Sequence, residues 1–267
     1  MNQKETVIQQ YSNDSKLSTR LQLHEKHSTN KQGFGPWVYE QYCLAPGCSA
    51  LELGCGNAGQ WKSNISRLPA GCKLVLSDIS EGMLAAAKDG FPPMDNVSFR
   101  VVDIQDMPFG DASFDVVIAN HMLYHVPDLS KAFSEVVRVL KPGGHFYAAT
   151  NGNGGMRPFL HEVIKIFDPD TKAFTYELPF SLQNGGGLLA EYFPTVERRD
   201  YEDSLAVTET QDLLDWMAST SAMSGFTTFP EGRMGELYNY FEAIRLKDGA
   251  IAIPKEAGLF VCKKGNV

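Results

Sequence analysis

The chain has 267 residues, 43% hydrophobic and 21% charged, enough for one α/β domain with elaborations around a substantial core. Lys and Arg total 24 against 32 Asp and Glu, a formal charge of −8 with no basic stripe interleaved with aromatics, which removes nucleic acid from the expected partners. No apolar run approaches the ~20 residues of a membrane span, Met1-Asn-Gln-Lys-Glu5 lacks a signal-peptide core, and five cysteines without a C-x-x-C pair read as reduced thiols, so a cytoplasmic monomer or homodimer is expected.

Residues 1–48 form a polar, mainly helical lead-in ending in Phe34-Gly-Pro-Trp-Val-Tyr-Glu-Gln-Tyr42, where Pro36 suits a first helical turn. From 49 to 150, short apolar strands alternate with helical patterns, the βαβ rhythm of a parallel sheet. Strands are expected at 49–53, 73–78, 97–102, 114–120 and 144–150, and helices at 60–68, 81–89 and 129–140. Asn151-Gly-Asn-Gly-Gly155 reads as a flexible loop at a strand's carboxyl end, where open α/β sheets bind ligands. An aromatic-rich helical stretch over 158–193 is broken by Asn184-Gly-Gly-Gly187, whose glycine triplet reads as a long turn. The segment 151–193 is expected to be a helical cap insertion over the acceptor site. Residues 194–267 are expected to complete the sheet, with a strand at 195–202, helices at 209–219 and 231–246, and a hairpin joining 250–254 to 258–262.

The run Leu51-Glu-Leu-Gly-Cys-Gly-Asn-Ala-Gly59 carries the most chemistry. Its glycines let the backbone turn tightly and approach a ligand, and the helix that follows points free N–H groups at whatever the loop holds. Gly54-x-Gly56-x-x-Gly59 has the spacing of a dinucleotide fingerprint. Glu52 argues against that ligand, because a carboxylate there repels a pyrophosphate by roughly 1 kcal/mol at 4 Å in water and about four times that near a protein surface. The same carboxylate suits a nucleoside ligand carrying ammonium and sulfonium charge.

Leu51–Gly59 resembles motif I of the class I S-adenosylmethionine-dependent methyltransferases. Further matches follow in order to Thr150: Lys73-Leu-Val-Leu-Ser-Asp78, Ser80-Glu-Gly-Met-Leu84, 97–104 with Met107-Pro-Phe109, Phe114–Asn120 with His121-Met-Leu-Tyr-His125, and Val139-Leu-Lys-Pro-Gly-Gly144 before the fifth strand. The resemblance implies a doubly wound, mostly parallel seven-stranded sheet of the Rossmann-like methyltransferase fold, with S-adenosylmethionine as cofactor and S-adenosylhomocysteine as product. It implies that Asp78 takes the ribose hydroxyls, Ile79 and Met83 flank the adenine, and Asp103 with Ile104 reads the adenine edge. Glu52 would stay ionised near the cofactor's cationic end, with Gly54 and Asn120 offering backbone carbonyls to its ammonium. Gly56 and Asn57 complete the loop.

The lead-in carries a second, narrower resemblance. Arg20-Leu-Gln-Leu-His24, His27-Ser-Thr-Asn30, Gly33-Phe34 and Trp37 are similar to the lead-in of bacterial methyltransferases related to the quinone-biosynthesis enzymes. There the lead-in helices close over the cofactor, so Tyr11, Arg20, Ser28 and Asn30 are candidates for its carboxylate, against the reading of Arg20 as an ordinary solvated residue. The implied reaction is direct displacement at the sulfonium methyl by a small, partly hydrophobic acceptor, through oxygen, nitrogen or carbon. His121 is the candidate base or acceptor-positioning group, weighed against a polar wall residue. His125, four residues on and on the same face if helical, packs or orients. No metal is expected, because position 122, where a zinc protease needs Glu, holds Met. A cofactor-binding protein without catalysis and a nicotinamide oxidoreductase remain as alternatives, the latter disfavoured by Glu52 and Asp103.

Overall fold

The computed structural model describes residues 15–220, 224–226, 229 and 231–266. The lead-in supplies α1 (Ser15–His27) and α2 (Phe34–Glu40). Then come β1 (Ser49–Leu53), α3 (Gly59–Asn64) with a 3-10 turn at Ile65–Arg67, β2 (Lys73–Asp78), α4 (Glu81–Lys88), β3 (Val97–Val101) and β4 (Phe114–Asn120). After β4 stand a 3-10 turn at Leu123–His125, α5 (Leu129–Val139), β5 (Leu140–Asn151), α6 (Met156–Lys165), α7 (Gly185–Ala190) and β6 (Thr195–Tyr201). The chain finishes with β7 (Ser204–Val207), α8 (Thr210–Ser219), α9 (Met234–Asp248), β8 (Ile251–Pro254) and β9 (Ala257–Lys263).

The main sheet has seven strands in the order β3-β2-β1-β4-β5-β9-β6, as expected for a doubly wound fold. Its first five strands run parallel, and β9 is antiparallel to both β5 and β6. Strand alternation divides the core between the two faces. Leu51, Leu53, Val117, Phe146 and Ala148 pack beneath Phe133 and Val136 of α5. Ala50, Leu74, Val116, Tyr147 and Ala149 pack beneath Val38 of α2, Trp61 of α3 and Ala87 of α4. Local chemistry starts the helices where the pattern places them. The Asp128 carboxylate accepts the Lys131 N–H at 2.9 Å before α5, and Ser80 Oγ accepts the Met83 N–H at 3.3 Å before α4.

The last third differs from expectation in three ways. First, β8 and β9 make no hairpin: β8 pairs with β7 in a separate two-stranded sheet, while β9 enters the main sheet. Second, the glycine triplet 185–187 opens α7 and makes no long turn. Third, the segment expected to be one cap is divided. Phe180, Leu182, Leu189 and Phe193 join the α5 face of the sheet, because these apolar side chains cover Phe146 and Phe260. By contrast, Leu160, Val163 and Ile164 of α6 join a second core with Leu23 of α1, Leu205 and Val207 of β7, Leu213 and Met217 of α8, Phe241 of α9 and Ile253 of β8. Between β6 and β9 the chain therefore leaves the sheet to build this second layer. Among the described residues no helix is long and apolar enough to cross a membrane.

Candidate active site

The register of the sheet lines up three strand ends. Leu53 stands opposite Ser77 of β2 and Ala119 of β4, so Gly54, Asp78 and Asn120 leave the sheet side by side. This edge lies at β1 and β4, where the strand order reverses, the usual ligand crevice of open α/β sheets. Gly54 turns the chain with a φ of 68°, and a Cβ there would meet Met122 Cβ at 2.8 Å, so only glycine fits. Asn57 Oδ1 accepts the Gly59 N–H at 3.0 Å, which holds the loop against the start of α3.

Beneath the loop lies a buried polar network. The Glu52 carboxylate accepts hydrogen bonds from Trp61 Nε1 and, at 3.0 Å, from Asn120 Nδ2. That amide also lies 2.7 Å from the Tyr42 hydroxyl and 3.1 Å from Gln60 Oε1, and Gln60 Nε2 donates to Tyr42 at 2.9 Å. Burial pushes the Glu52 carboxyl up to about 7 against the pull of its two donors, and the Asp78 charge pushes the same way. Burial thus works against the charged form of Glu52 here, and the expectation that it stays ionised beside a cationic cofactor concerns the bound state. Asn120 Oδ1 is buried and has no hydrogen-bond partner among the described residues. The side chain of Asn120 faces the Glu52 carboxylate.

Asp78 also holds the loop's shape. One carboxylate oxygen accepts the Gly56 N–H at 3.0 Å and the other the Ser80 N–H at 2.9 Å. Burial raises its pKa against the pull of these backbone donors. Ile79 follows it, half-buried, and Met83 is buried one turn into α4. Asp103 and Ile104 follow β3; Asp103 Oδ1 accepts the Gln105 N–H at 2.9 Å, and Ile104 is buried.

His121 leaves β4 in the left-handed region, with a φ of 52°. It therefore shares no helical face with His125, which ends the following 3-10 turn. Burial and the Lys255 charge hold His121 down to about 4. Burial and the Arg20 charge hold His125 down to about 4, which puts α1 close to this turn. The His121 ring packs on Phe34 with centroids 4.7 Å apart. Ser28 and Asn30, candidates for the cofactor's carboxylate, bind the β6–β7 turn instead: Ser28 Oγ donates to Asp203 at 2.7 Å and Asn30 Nδ2 to the Glu202 carbonyl at 2.9 Å. Tyr11 lies outside the described residues.

Sequence reasoning missed Tyr42, Gln60 and Trp61 around Glu52, and His24, Tyr201, Asp203 and Lys255 around His121. Trp61 carried a signal, because a large aromatic one turn into the helix after a glycine loop must pack against the strand below. The others are joined only by long-range folding. Grooves of about 540 and 400 Å³ open at α6–α9–β8 and at α1–α8, and none of the residues expected to bind cofactor lines either. Among the described residues no cluster of three His, Cys, Asp or Glu is arranged to hold a metal.

Residues 51–148 match the family model described as a methyltransferase domain. The demethylmenaquinone methyltransferase of Staphylococcus aureus is 35% identical over 146 residues, which cover 53% of this chain and 58% of that protein. The match thus spans little more than half the length of this relative. Phosphoethanolamine N-methyltransferase 2 of Haemonchus contortus, solved with S-adenosyl-L-methionine, aligns over 99% of this chain and 60% of its own at a TM-score of 0.60 and 18% identity. A putative methyltransferase from Bacillus halodurans aligns over 87% of this chain and 99% of its own, at a TM-score of 0.57 and 20% identity. At such identities the two structures speak to the fold alone. Residues 51–148 thus match a methyltransferase domain, the sheet has the fold of these solved structures, and the chain is similar to the demethylmenaquinone methyltransferase over about half of its length.

Proposed function

We propose that the protein methylates a small, partly hydrophobic molecule at oxygen, nitrogen or carbon, with S-adenosylmethionine as donor and S-adenosylhomocysteine as product. The observation that carries this reading is the Glu52–Asn120 pair. A carboxylate left part-protonated by burial and an amide oxygen with no partner stand together at the turn of the glycine loop. An ammonium would satisfy both, and a pyrophosphate neither.

When bound, the cofactor supplies an activated methyl group that moves by direct displacement. In our reading Gly54, Gly56 and Asn57 shape the loop around it, and Glu52 with Asn120 receives the ammonium. Asp78 keeps its backbone donors, Gly56, Ser80 and Ile79, and uses its remaining lone pairs for the ribose hydroxyls. Ile79 and Met83 flank the adenine, Asp103 and Ile104 read its edge, and Arg20 approaches from α1. His121, neutral in this setting, positions the acceptor and is a base only for an acceptor that must lose a proton. Holding that acceptor in line is the protein's main task, and orientation of this kind is worth on the order of 7–11 kcal/mol. We read the lead-in and the second layer as the cover over this crevice, and the protein as cytoplasmic, a monomer or homodimer, with no nucleic-acid partner.

Thermal unfolding tests the reading. S-adenosylhomocysteine at about 100 times its Kd should stabilise the fold by roughly 2.7 kcal/mol, a melting shift of about 5–10 °C for a chain of this size. NAD and NADP at equal concentration should shift it little. A larger shift with NAD would overturn the proposal.

A further inference from the structure

Tyr42 and Gln60 reach the Glu52–Asn120 pair from two other elements. Tyr42 lies just past α2 in the lead-in and Gln60 in the first turn of α3, and folding brings both to the end of β4. Gln60 Nε2 donates to the Tyr42 hydroxyl at 2.9 Å. The Asn120 Nδ2 stands against three oxygens: Glu52 Oε1 at 3.0 Å, Gln60 Oε1 at 3.1 Å and the Tyr42 hydroxyl at 2.7 Å. The buried Tyr42 ring meets Tyr147 of β5 edge-on with centroids 5.0 Å apart and stacks with Trp61 at 6.3 Å. The next residue, Cys43, donates its N–H to the Tyr147 hydroxyl at 2.8 Å, so this stretch of the lead-in is pinned to β5 and the Tyr42 hydroxyl is a fixed point.

The direction of each bond follows from the acid. An ionised carboxylate accepts hydrogen bonds and cannot donate, and Glu52 takes Trp61 Nε1 and Asn120 Nδ2 as its donors. The remaining N–H of the Asn120 amide then falls to Gln60 Oε1 and the Tyr42 hydroxyl. Gln60 holds its oxygen toward Asn120 because its own NH2 has an acceptor in Tyr42. Turned over, the Asn120 amide would set its oxygen against Glu52 Oε1 and Gln60 Oε1, two oxygens with no proton to offer. All the described partners of the amide are therefore on its nitrogen, and Oδ1 is left buried with none. A buried acceptor without a partner costs stability, so an arrangement that enforces one calls for a ligand that repays it.

We propose that Tyr42 and Gln60 are positioning residues for cofactor binding: they lock the Asn120 amide with its nitrogen on Glu52, so that Oδ1 and the carboxylate are presented together to the cofactor's ammonium. The inference rests on the proposed function, which places that ammonium at Glu52 and Asn120. Tyr42 acts through Gln60, and both act through Asn120. The lead-in thereby contributes to the cofactor site from beneath the glycine loop.

Calorimetric titration with two ligands tests this: S-adenosylhomocysteine and its desamino analogue, in which hydrogen replaces the amino group. The wild-type protein should bind S-adenosylhomocysteine about tenfold more tightly than the analogue, since charge-assisted hydrogen bonds are at stake. Tyr42→Phe keeps the ring and its packing, and Gln60→Met keeps the length of the side chain. Each should cut the preference about threefold or more, while affinity for the analogue stays within about twofold. In an Asn120→Ala background Tyr42→Phe should leave the preference unchanged, because nothing remains to be positioned. A preference kept in either single variant, or a Tyr42→Phe effect undiminished in Asn120→Ala, would overturn the inference. An equal loss of affinity for both ligands would overturn it too, because that is the mark of a merely structural role. Equal wild-type affinities for the two ligands, or no binding of S-adenosylhomocysteine, would instead strike the proposed function itself and the inference with it.

Discussion

Asp78 holds the loop's shape and, in our proposal, also the ligand's ribose. Its two oxygens tie the Gly56 N–H to the Ser80 N–H, so the glycine loop and the start of α4 share one anchor. Asp78→Ala should weaken S-adenosylhomocysteine binding by about 2 kcal/mol or more, since charge-assisted hydrogen bonds are lost together. Asp78→Asn, which keeps the size and one acceptor oxygen, should lose less. Unchanged affinity in a folded Asp78→Ala protein, measured by calorimetry, would remove the ribose from this position. Asp78 and Glu52 were legible because each follows directly from a strand pattern and the glycine spacing. Gln60, Tyr42 and Lys255 were not, because each is an ordinary surface-type residue until folding carries it into a buried contact.

At the scale of elements, the two-residue connection Lys255-Glu256 ties the second layer to the sheet. Lys255 reaches the Asp203 turn, while Glu256 accepts the Gly154 N–H at 2.7 Å and the Gln183 amide at 2.7 Å, which clamps the loop that follows β5. The clamp explains a glycine. A Cβ on Gly152 would lie 1.9 Å from Glu256 Oε2, so Gly152→Ala must displace that side chain. A cost of about 1–3 kcal/mol is expected, as for overpacking elsewhere. In a Glu256→Ala background the same substitution should cost much less, and a double-mutant cycle by denaturant unfolding reads the difference. Equal costs in both backgrounds would mean that Glu256 is not what excludes a side chain there. The same connection explains why the expected hairpin fails. Lys-Glu has none of the glycine or asparagine that tight hairpin turns require. In addition, β9 is buried on both faces and takes a central place, whereas β8 buries only alternate residues.

For the whole molecule, buried titratable groups set opposing pH dependences. The folded carboxyl of Glu52 sits near 7 against an ordinary 4.5, so between those values the folded state keeps a proton that the unfolded chain has released, and rising pH favours unfolding. The loss is on the order of 3 kcal/mol across the window. His24, His121 and His125 fall from 6.5 to about 3, 4 and 4, so below pH 6.5 the unfolded chain takes up protons that the folded one refuses, and acid favours unfolding. Three histidines outweigh one carboxyl, so stability rises with pH as the unfolded histidines lose their protons, and Glu52 only flattens that rise up to about pH 7. The ligand-free protein should therefore gain stability from about pH 5 and level off between about pH 7 and 8. Glu52→Gln should steepen the rise between about pH 5 and 7, read by thermal unfolding across that range. An unchanged slope in Glu52→Gln would remove Glu52 from this balance.

The sequence alone determined the parallel half of the sheet, the glycine loop and the acids at its strand ends. These depend on local periodicity and on spacings within a few dozen residues, which the chain carries wherever it folds. Tertiary structure decided the rest. It alone determined that β9 enters between β5 and β6 while β8 leaves to join β7. It also divided the expected cap between two cores, and brought His24, Asp203 and Lys255 together across more than 200 residues of chain. Such contacts follow from competition among apolar surfaces for the same partners. No local pattern records which surface wins.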